Sequence, residues 1–404
     1  MSGIAIVGAG QAGLAVAEAL RAGGYTGAVT LFGDEPRGPY HRPPLSKGYL
    51  LGAIEEAQLV MRAPALLAKR DIALATGVGV AAIDRVARCL CLTDGRRIAY
   101  DGLALCTGSR PRPLALPGAD LSGVRTLRTA EDSAAIAAAL SRAHRVVVIG
   151  GGFIGLEVAA AARKSGKAVT VLEAADRLMP RVVSPLISAF YRDLHAANGA
   201  QVELNAAVTR LTAEADRVAA VETADGRAFP ADLVIVGIGI LPNAELAAAA
   251  GLAVDGGIVV DACSRTSDPR IVAAGDCTVR RMADGTLRRL ESVQNAVEQG
   301  KSAAATLLGH ERAFDAAPWF WSDQFDVKLQ MAGLAHGHDR VVVRGDVASR
   351  RFSAFYFAGD RLIAADSLNR AEDHLAVRKL LDRGVSPTLA QAADVTFGLS
   401  TLLA

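Results

Sequence analysis

Short apolar runs closed by glycine turns recur along the chain. Ile4-Ala5-Ile6-Val7 leads into Gly8-Ala9-Gly10-Gln11-Ala12-Gly13, and Val146-Val147-Val148-Ile149 leads into Gly150-Gly151-Gly152-Phe153-Ile154-Gly155. Each pair is followed by an Ala-rich segment of helical character, a glycine and a second β-rich run, Val29–Phe32 in the first copy and Val169–Leu172 in the second. Both copies predict a strand–turn–helix–strand unit of a parallel sheet. Further buried strands are predicted at 103–108, 233–240 and 271–274, and Asp94-Gly95 predicts a hairpin turn. Residues 109–117 hold three prolines and read as a linker.

The texture changes at Pro318. Trp319, Trp321, Phe325, Val327 and Leu329 share one parity, as side chains on one strand face do. Strands are expected at 341–343, 352–357 and 362–365, with Ala358-Gly359-Asp360 turning the last pair. A helix is expected over 371–381, capped by Asn369. The fold class is α/β: two Rossmann-like dinucleotide-binding domains followed by a small C-terminal α+β domain.

Composition narrows the function. The chain has 404 residues, of which 51% are hydrophobic and 21% charged, a globular balance. Its 44 Lys and Arg against 42 Asp and Glu leave a net charge of +2, so nucleic-acid binding by bulk charge is excluded. The longest uncharged apolar stretch near a strand, 233–241, is too short for a bilayer, and no membrane insertion is expected. Five scattered cysteines without CxxC spacing suit a reducing cytoplasm. No basic n-region precedes Ile4, and no leader is expected. His336-Gly337-His338 has no acidic or Cys companion and reads as a loop; no metal site is expected.

The glycine loops carry the chemistry. A doubly negative pyrophosphate sits well on a helix N-terminus, where unpaired N–H groups and the positive dipole end converge. In each loop the first glycine permits the tight turn (Gly8, Gly150). The second lets phosphate approach (Gly10, Gly152), and the third lets helix and strand pack closely (Gly13, Gly155). Acids follow at Asp34 and Glu35 in the first unit and at Glu173 in the second. A carboxylate there accepts ribose hydroxyls and repels a 2′-phosphate, so Glu173 favours NADH over NADPH. Arg177 and Arg181 follow and can serve pyrophosphate, or a 2′-phosphate if Glu173 turns away. Two such sites point to one nicotinamide and one flavin, a pair that converts hydride transfer into single-electron steps.

Gly38-Pro39-Tyr40-His41-Arg42-Pro43-Pro44-Leu45-Ser46-Lys47 resembles the signature of NADH-dependent, putidaredoxin reductase-like ferredoxin reductases of bacterial oxygenase systems. Cys106-Thr107-Gly108-Ser109-Arg110-Pro111, Thr266-Ser267-Asp268-Pro269, Ala274-Gly275-Asp276 and Pro318-Trp319-Phe320-Trp321-Ser322-Asp323-Gln324 match the same pattern. The resemblance spans nearly the whole chain. It implies a glutathione reductase-like fold, with FAD held by residues 1–113 and 230–315, NADH by 114–229, and a C-terminal domain at 316–404. The family's flavin contacts fall on Ala12, Asp34, Lys47, Val80, Arg128, Asp276 and Val293. Arg42, Thr107 and Gly108 lie in its cofactor-binding motifs. Its nicotinamide contacts fall on Ile154, Glu173, Arg181 and Gly239.

Several positions also have a reading from chemistry. Asp276 ends a buried strand, where ligands bind in doubly wound sheets; the alternative is an Asx turn. Lys47 follows two prolines, which preorganise it to face the flavin; the alternative is a surface lysine. Glu157 lies in an apolar helix and, if buried, needs a partner, which the resemblance makes Lys47. Trp319 and Trp321 are core packing or line the flavin, and the resemblance favours Trp321. Lys47, Glu157 and Trp321 are thus the candidate catalytic residues.

No cysteine stands near His41, where related thiol-dependent enzymes carry one, so thiol relay is not expected. No Cys cluster for an iron–sulfur centre appears either, so single electrons must leave to another protein. The expected acceptor is a small acidic two-iron ferredoxin, or a rubredoxin, recognised by basic residues Arg62, Arg288, Arg289, Lys301 and Lys328. A monomer or weak dimer is expected. The alternatives are an NADH oxidase or monodehydroascorbate-type reductase, and a signalling flavoprotein like apoptosis-inducing factor.

Overall fold

Strand Gly3–Val7 is buried along its whole length, as a parallel strand covered on both faces requires. In the computed structural model, which describes residues 3–282 and 285–403, it lies inside a sheet ordered Ile72–Ala75, Val29–Phe32, Gly3–Val7, Arg97–Leu105. These strands run parallel, with Ile4 opposite Val29 on one side and Gly102 on the other. Ile271–Ala273 pairs in parallel with Arg97–Leu105. The antiparallel strands Val80–Asp84 and Cys89–Leu92 extend the sheet, and the Asp94-Gly95 turn carries the chain on into Arg97–Leu105. Helices Gln11–Ala22 and Val293–Leu307 lie against each other; a Cβ on Gly300 would meet Ala15 Cβ at 2.8 Å and the Ala12 carbonyl at 2.9 Å. Only a glycine permits that approach.

The second dinucleotide unit repeats the plan. Its parallel sheet runs Gln201–Glu203, Ala168–Leu172, Arg145–Ile149, Leu233–Val236, Val124–Arg125. Helix Phe153–Lys164 follows the glycine loop and buries Gly155 through Ala162. A three-stranded meander, Val208–Glu214, Arg217–Thr223 and Ala228–Pro230, packs Val218, Val221 and Phe229 into the same core as Val147 and Val234.

The C-terminal residues form a five-stranded antiparallel sheet in the order Trp319–Gln324, Val327–Gly333, Arg361–Leu368, Arg351–Ala358, Arg340–Asp346. Helix Ala371–Arg383 buries Ala376, Val377 and Leu380 with Phe355, Phe357 and Leu362. The buried Arg344 donates to Asp373 at 3.1 Å and to the carbonyls of Gln391 and Phe397, tying the last segment to the sheet.

Contacts gather the chain into two compact units. The first is Met1–His41, Ala57–Arg110 and Leu241–Pro318; the second is Arg42–Glu56, Pro111–Ile240 and Trp319–Ala404. Segment 42–56 and the C-terminal sheet therefore belong with the second glycine loop.

Four expectations are corrected. Ser109–Pro111 is a short strand rather than linker. The 233–240 strand ends at Val236, where the Gly237 N–H turns back to the Ile149 carbonyl and Gly239 takes φ +106°. Trp319 through Leu329 is a hairpin, turned at Phe325 with φ +55°. Its first strand buries Ser322 and Gln324 and leaves Trp319 and Trp321 half-buried, because the buried polar side chains find partners. Asn369 is not the helix cap, which is Arg370. Its side chain accepts the Lys328 N–H at 2.9 Å and donates to the Asp326 and Arg350 carbonyls, holding neighbouring strands.

Candidate functional site

The first unit presents one phosphate cradle. Gly8 holds φ +113°, and a Cβ there would stand 2.0 Å from the Cys106 carbonyl oxygen. A Cβ on Gly13 would stand 2.0 Å from the Gly8 oxygen, but around Gly10 nothing lies within 4 Å. Helix Gln11–Ala22 has no side-chain cap at Gly10 and no acid in its first turn. Its N-terminus is therefore not satisfied by a capping side chain, an arrangement suited to an anion.

The cofactor residues predicted in this unit gather at the strand ends. Asp34 is exposed, and its Oδ1 accepts the Glu35 N–H at 3.0 Å. Glu35 instead accepts the Tyr40 hydroxyl at 2.6 Å, which leaves Asp34 the more open of the two acids. Backbone bonds from Gly77 to Glu35 and from Val78 to Gly33 bring the Val80 strand alongside. Thr107 and Asn243 exchange hydrogen bonds, Oγ1 to the Asn243 carbonyl at 2.6 Å and Nδ2 to the Thr107 carbonyl at 2.9 Å; the Asn243 N–H takes the Gly108 carbonyl. Ser109 Oγ donates to Asp276 Oδ2 at 3.0 Å. Val293 opens helix Val293–Leu307 after its Ser292 cap.

Gln299 was not anticipated. Its Oε1 accepts the Gly275 N–H at 2.8 Å and the Thr278 hydroxyl at 3.0 Å, fixing the turn that carries Asp276. The only hint in the sequence is a glutamine on the Ala-rich, buried side of its helix.

The second unit presents a matching cradle. Gly150 holds φ +102°, and a Cβ there would meet the Gly237 oxygen at 2.5 Å. A Cβ on Gly155 would meet the Gly150 oxygen at 2.3 Å, but at Gly152 the nearest atom is 3.9 Å away. Helix Phe153–Lys164 also lacks a side-chain cap. Glu173 is clamped: Oε2 accepts the Gly151 N–H at 2.7 Å and Oε1 the Ala175 N–H at 2.8 Å. A carboxylate offers about four acceptor positions, so room remains for ribose hydroxyls. Ile154 is 41% exposed at the mouth of the loop. A Cβ on Gly239 would stand 3.5 Å from the Arg181 guanidinium, so these two predicted residues adjoin. Arg177 is different, because its guanidinium donates to the Pro180 and Val183 carbonyls and to Ser188 Oγ. It braces its own loop.

Segment 42–56 brings the predicted lysine to the same unit. Prolines open the short helix Pro43–Ser46, and Lys47 follows it. Lys47 Nζ donates to Glu157 Oε2 at 2.6 Å and to the Pro43 carbonyl at 3.1 Å. Glu157 is 5% exposed and also accepts the hydroxyls of Ser46 and, at 2.7 Å, Ser322. Arg42 donates to the Arg128 carbonyl at 2.8 Å, which joins two more predicted residues.

An aromatic row adjoins this cluster. Phe153, the first residue of the second glycine-loop helix, has its ring centroid 4.7 Å from Phe320. Phe320 lies 6.4 Å from Trp321, and Trp321 lies 5.5 Å from Trp319. Trp319 in turn packs under the Arg378 guanidinium at 4.6 Å. Phe153 and Phe320 extend the row beyond the two tryptophans to which the sequence points.

The basic residues are less free than expected. Arg62 pairs with Glu18 at 2.7 Å, Arg289 with Glu291 at 2.6 Å and Lys301 with Glu298 at 2.6 Å. Arg288 and Lys328 are exposed. All five cysteines are free, and burial pushes the thiols of Cys106 and Cys277 up from their ordinary pKa, which suits packing and not nucleophilic chemistry. Among the described residues no helix is long and apolar enough to cross a membrane, and no group of three or more His, Cys, Asp or Glu could hold a metal ion.

The chain is similar to known proteins along its length. The pyridine nucleotide-disulphide oxidoreductase family matches residues 2–300, and the reductase C-terminal family matches residues 319–403. Rhodocoxin reductase of Rhodococcus erythropolis is 47% identical over 402 residues, 99% of this chain and 94% of that protein. The crystal structure of the ferredoxin reductase for the CYP199A2 system from Rhodopseudomonas palustris superposes with a TM-score of 0.97 at 45% identity, covering 100% of both chains. The reductase in the covalent putidaredoxin reductase–putidaredoxin complex gives 0.95 at 43% identity, covering 100% of this chain and 98% of that one. The chain belongs to the pyridine nucleotide-disulphide oxidoreductases, among the ferredoxin reductases that resemble putidaredoxin reductase.

Proposed function

We propose that this protein oxidises NADH and passes the electrons one at a time, by way of FAD, to a small iron–sulfur ferredoxin serving an oxygenase. The observation that carries the reading is the pair of open phosphate cradles at Gly10 and Gly152, set in a chain that matches ferredoxin reductases along its length. When bound, FAD supplies the conversion between two-electron and one-electron chemistry. The division of labour is residues 1–113 and 230–315 for FAD, 114–229 for NADH and 316–404 as the C-terminal domain.

Each residue has a defined task. Gly8, Gly10, Ala12 and Gly13 receive the FAD pyrophosphate, and Asp34 takes its adenosine ribose. Asp276, steadied by Ser109 and by the Gln299-braced turn, accepts ribityl hydroxyls. Gly150, Gly152 and Gly155 receive the NADH pyrophosphate. Glu173 reads the ribose, held by Gly151 and Ala175 so that no side-chain reorganisation is needed on binding. Arg181 sits beside Gly239 as the cation for NADH phosphate. Lys47 presents its ammonium to the flavin, with Glu157 fixing its direction, and Trp321 lines the same region. No acid–base or nucleophilic group is needed.

Related structures support the choice of partner, since one of them holds putidaredoxin in covalent complex. An acidic ferredoxin would be recognised through Arg288 and Lys328, with Arg62, Arg289 and Lys301 contributing once their acidic neighbours are outcompeted. We place the enzyme in the cytoplasm, as a monomer or weak dimer. The test is spectral. Under anaerobic conditions NADH should bleach the flavin bands of the purified protein, and an oxidised two-iron ferredoxin should restore them. A flavin that NADH bleaches but no ferredoxin restores would overturn the reading.

A further inference from the structure

Strand Trp319–Gln324 turns its polar side chains inward. Ser322 is 0% and Gln324 1% exposed. A buried hydroxyl or amide is costly unless it is hydrogen-bonded, and here both are bonded in sequence. Gln324 Nε2 donates to Ser322 Oγ at 3.2 Å, and Ser322 Oγ donates to Glu157 Oε1 at 2.7 Å. Gln324 Oε1 lies 2.9 Å from His195 Nε2 on helix Pro185–Ala197.

The chain of bonds sets the protons. Once the amide nitrogen of Gln324 faces Ser322, its oxygen faces His195 and calls for an N–H there. His195 therefore carries its proton on Nε2. Its Nδ1 is buried with no hydrogen-bond partner, and Phe325 packs edge-on against the ring at 5.0 Å. Burial lowers the histidine pKa and keeps the ring neutral. Every proton along His195, Gln324 and Ser322 thus points toward one carboxylate, the one that also accepts from Lys47 and Ser46. Packing alone would not select this arrangement, since an apolar pair would fill the space without leaving Nδ1 dry.

We infer that Ser322 and Gln324, with His195 as the terminal donor, are positioning residues that aim the Glu157–Lys47 pair for NADH-driven flavin reduction. The inference rests on the proposal that Lys47 faces the flavin. It adds that the C-terminal sheet does more than line the site with Trp321. One residue along, the same strand holds the carboxylate that directs the lysine.

The experiment uses holoenzyme, with NADH and anaerobic stopped flow. Ser322→Ala removes one donor from a charged acceptor and should slow the limiting rate of flavin bleaching about tenfold, with the NADH Kd unchanged. Ser322→Thr keeps the hydroxyl and should recover the rate. Gln324→Met should cost about threefold, acting one bond further away. In a Lys47→Met background, Ser322→Ala should add almost nothing, because the two act through one group.

A second readout does not depend on turnover. Nitrogen-15 histidine spectra should show His195 as the neutral Nε2–H tautomer in the wild type, with its ring proton lost or shifted in Gln324→Met. A silent Ser322→Ala in an enzyme that Lys47→Met slows would overturn the relay and leave the proposed function standing. Equal losses in both backgrounds, or an Nδ1–H tautomer, would also overturn it. A silent Lys47→Met would instead remove the reading on which the relay rests.

Discussion

Lys47 and Glu157 lie 110 positions apart in sequence and meet at 2.6 Å, a partly exposed ammonium against a carboxylate that is almost fully buried. The asymmetry decides what each mutation costs. Removing Lys47 leaves the buried charge with hydroxyl partners only, and breaking such a pair costs about 3 kcal/mol. Lys47→Met should therefore lower the thermal midpoint clearly. Lys47→Met combined with Glu157→Leu should recover most of that loss. Thermal denaturation of the two variants checks this, and a double variant no more stable than the single would show that the pair is not the source.

The two kinds of loop glycine separate binding from folding. Gly10 has φ −100° and open space where a Cβ would go, so alanine fits the free protein there. Gly10→Ala should keep its fold and lose FAD on dilution. Gly13→Ala drives a methyl against the Gly8 carbonyl and should lose both stability and FAD. Flavin fluorescence after gel filtration, read beside the circular dichroism melt, distinguishes them.

Glu173 should set the choice of nicotinamide cofactor. Its carboxylate is held beside the second glycine loop by two backbone N–H groups, and a carboxylate that accepts ribose hydroxyls repels a 2′-phosphate. Glu173→Ala should narrow the ratio of kcat/KM for NADH over NADPH by about tenfold or more, one charge repulsion of ~1.4 kcal/mol. The NADH value should fall as well, since the loop loses its anchor. A ratio left unchanged would move cofactor reading to another residue.

Asp366 should make stability depend on pH. Burial pushes its carboxyl up to about 7, and Tyr356 donates to it at 2.6 Å. An unfolded aspartate titrates near its usual value of about 4. Between about pH 4 and 7 the folded protein therefore holds a proton that the unfolded chain releases. This contribution to stability is full below pH 4, shrinks as pH rises, and is gone above about pH 7. Asp366→Asn keeps an acceptor for Tyr356 and cannot ionise. Relative to wild type it should gain stability across that window, by up to about 4 kcal/mol from a shift of about three pH units. Thermal midpoints of both proteins at pH 5 and 8 give the difference.

What was legible in the sequence was what local geometry dictates. The glycine spacings at 8–13 and 150–155 specify turns within a few residues, and both loops took the conformation their spacing implies. The acids at Asp34 and Glu173 could be placed because they end strands that follow those turns. The shared parity of Trp319 through Leu329 misled, because it treated as one continuous strand a segment that turns back on itself at Phe325, and it gave no sign of the side that is buried. Ser322 and Gln324 occupy that side, and their partners Glu157 and His195 lie 165 and 129 positions away. Gln299 and Asn243 were missed for the same reason. A buried polar side chain is explained by an atom distant in sequence, which no pattern along the chain announces.

Electrons taken from NADH as a pair are expected to leave one at a time to a ferredoxin. The most direct measurement adds a limiting amount of NADH, without oxygen, to catalytic enzyme and excess oxidised two-iron ferredoxin, and follows ferredoxin bleaching. Each NADH yields NAD+, a proton and two electrons, so two ferredoxins should be reduced per NADH. In air, ferredoxin reduction should outrun peroxide formation. Slow or absent ferredoxin bleaching, with NADH consumed only when oxygen is admitted, would contradict the account and identify an oxidase on the same fold.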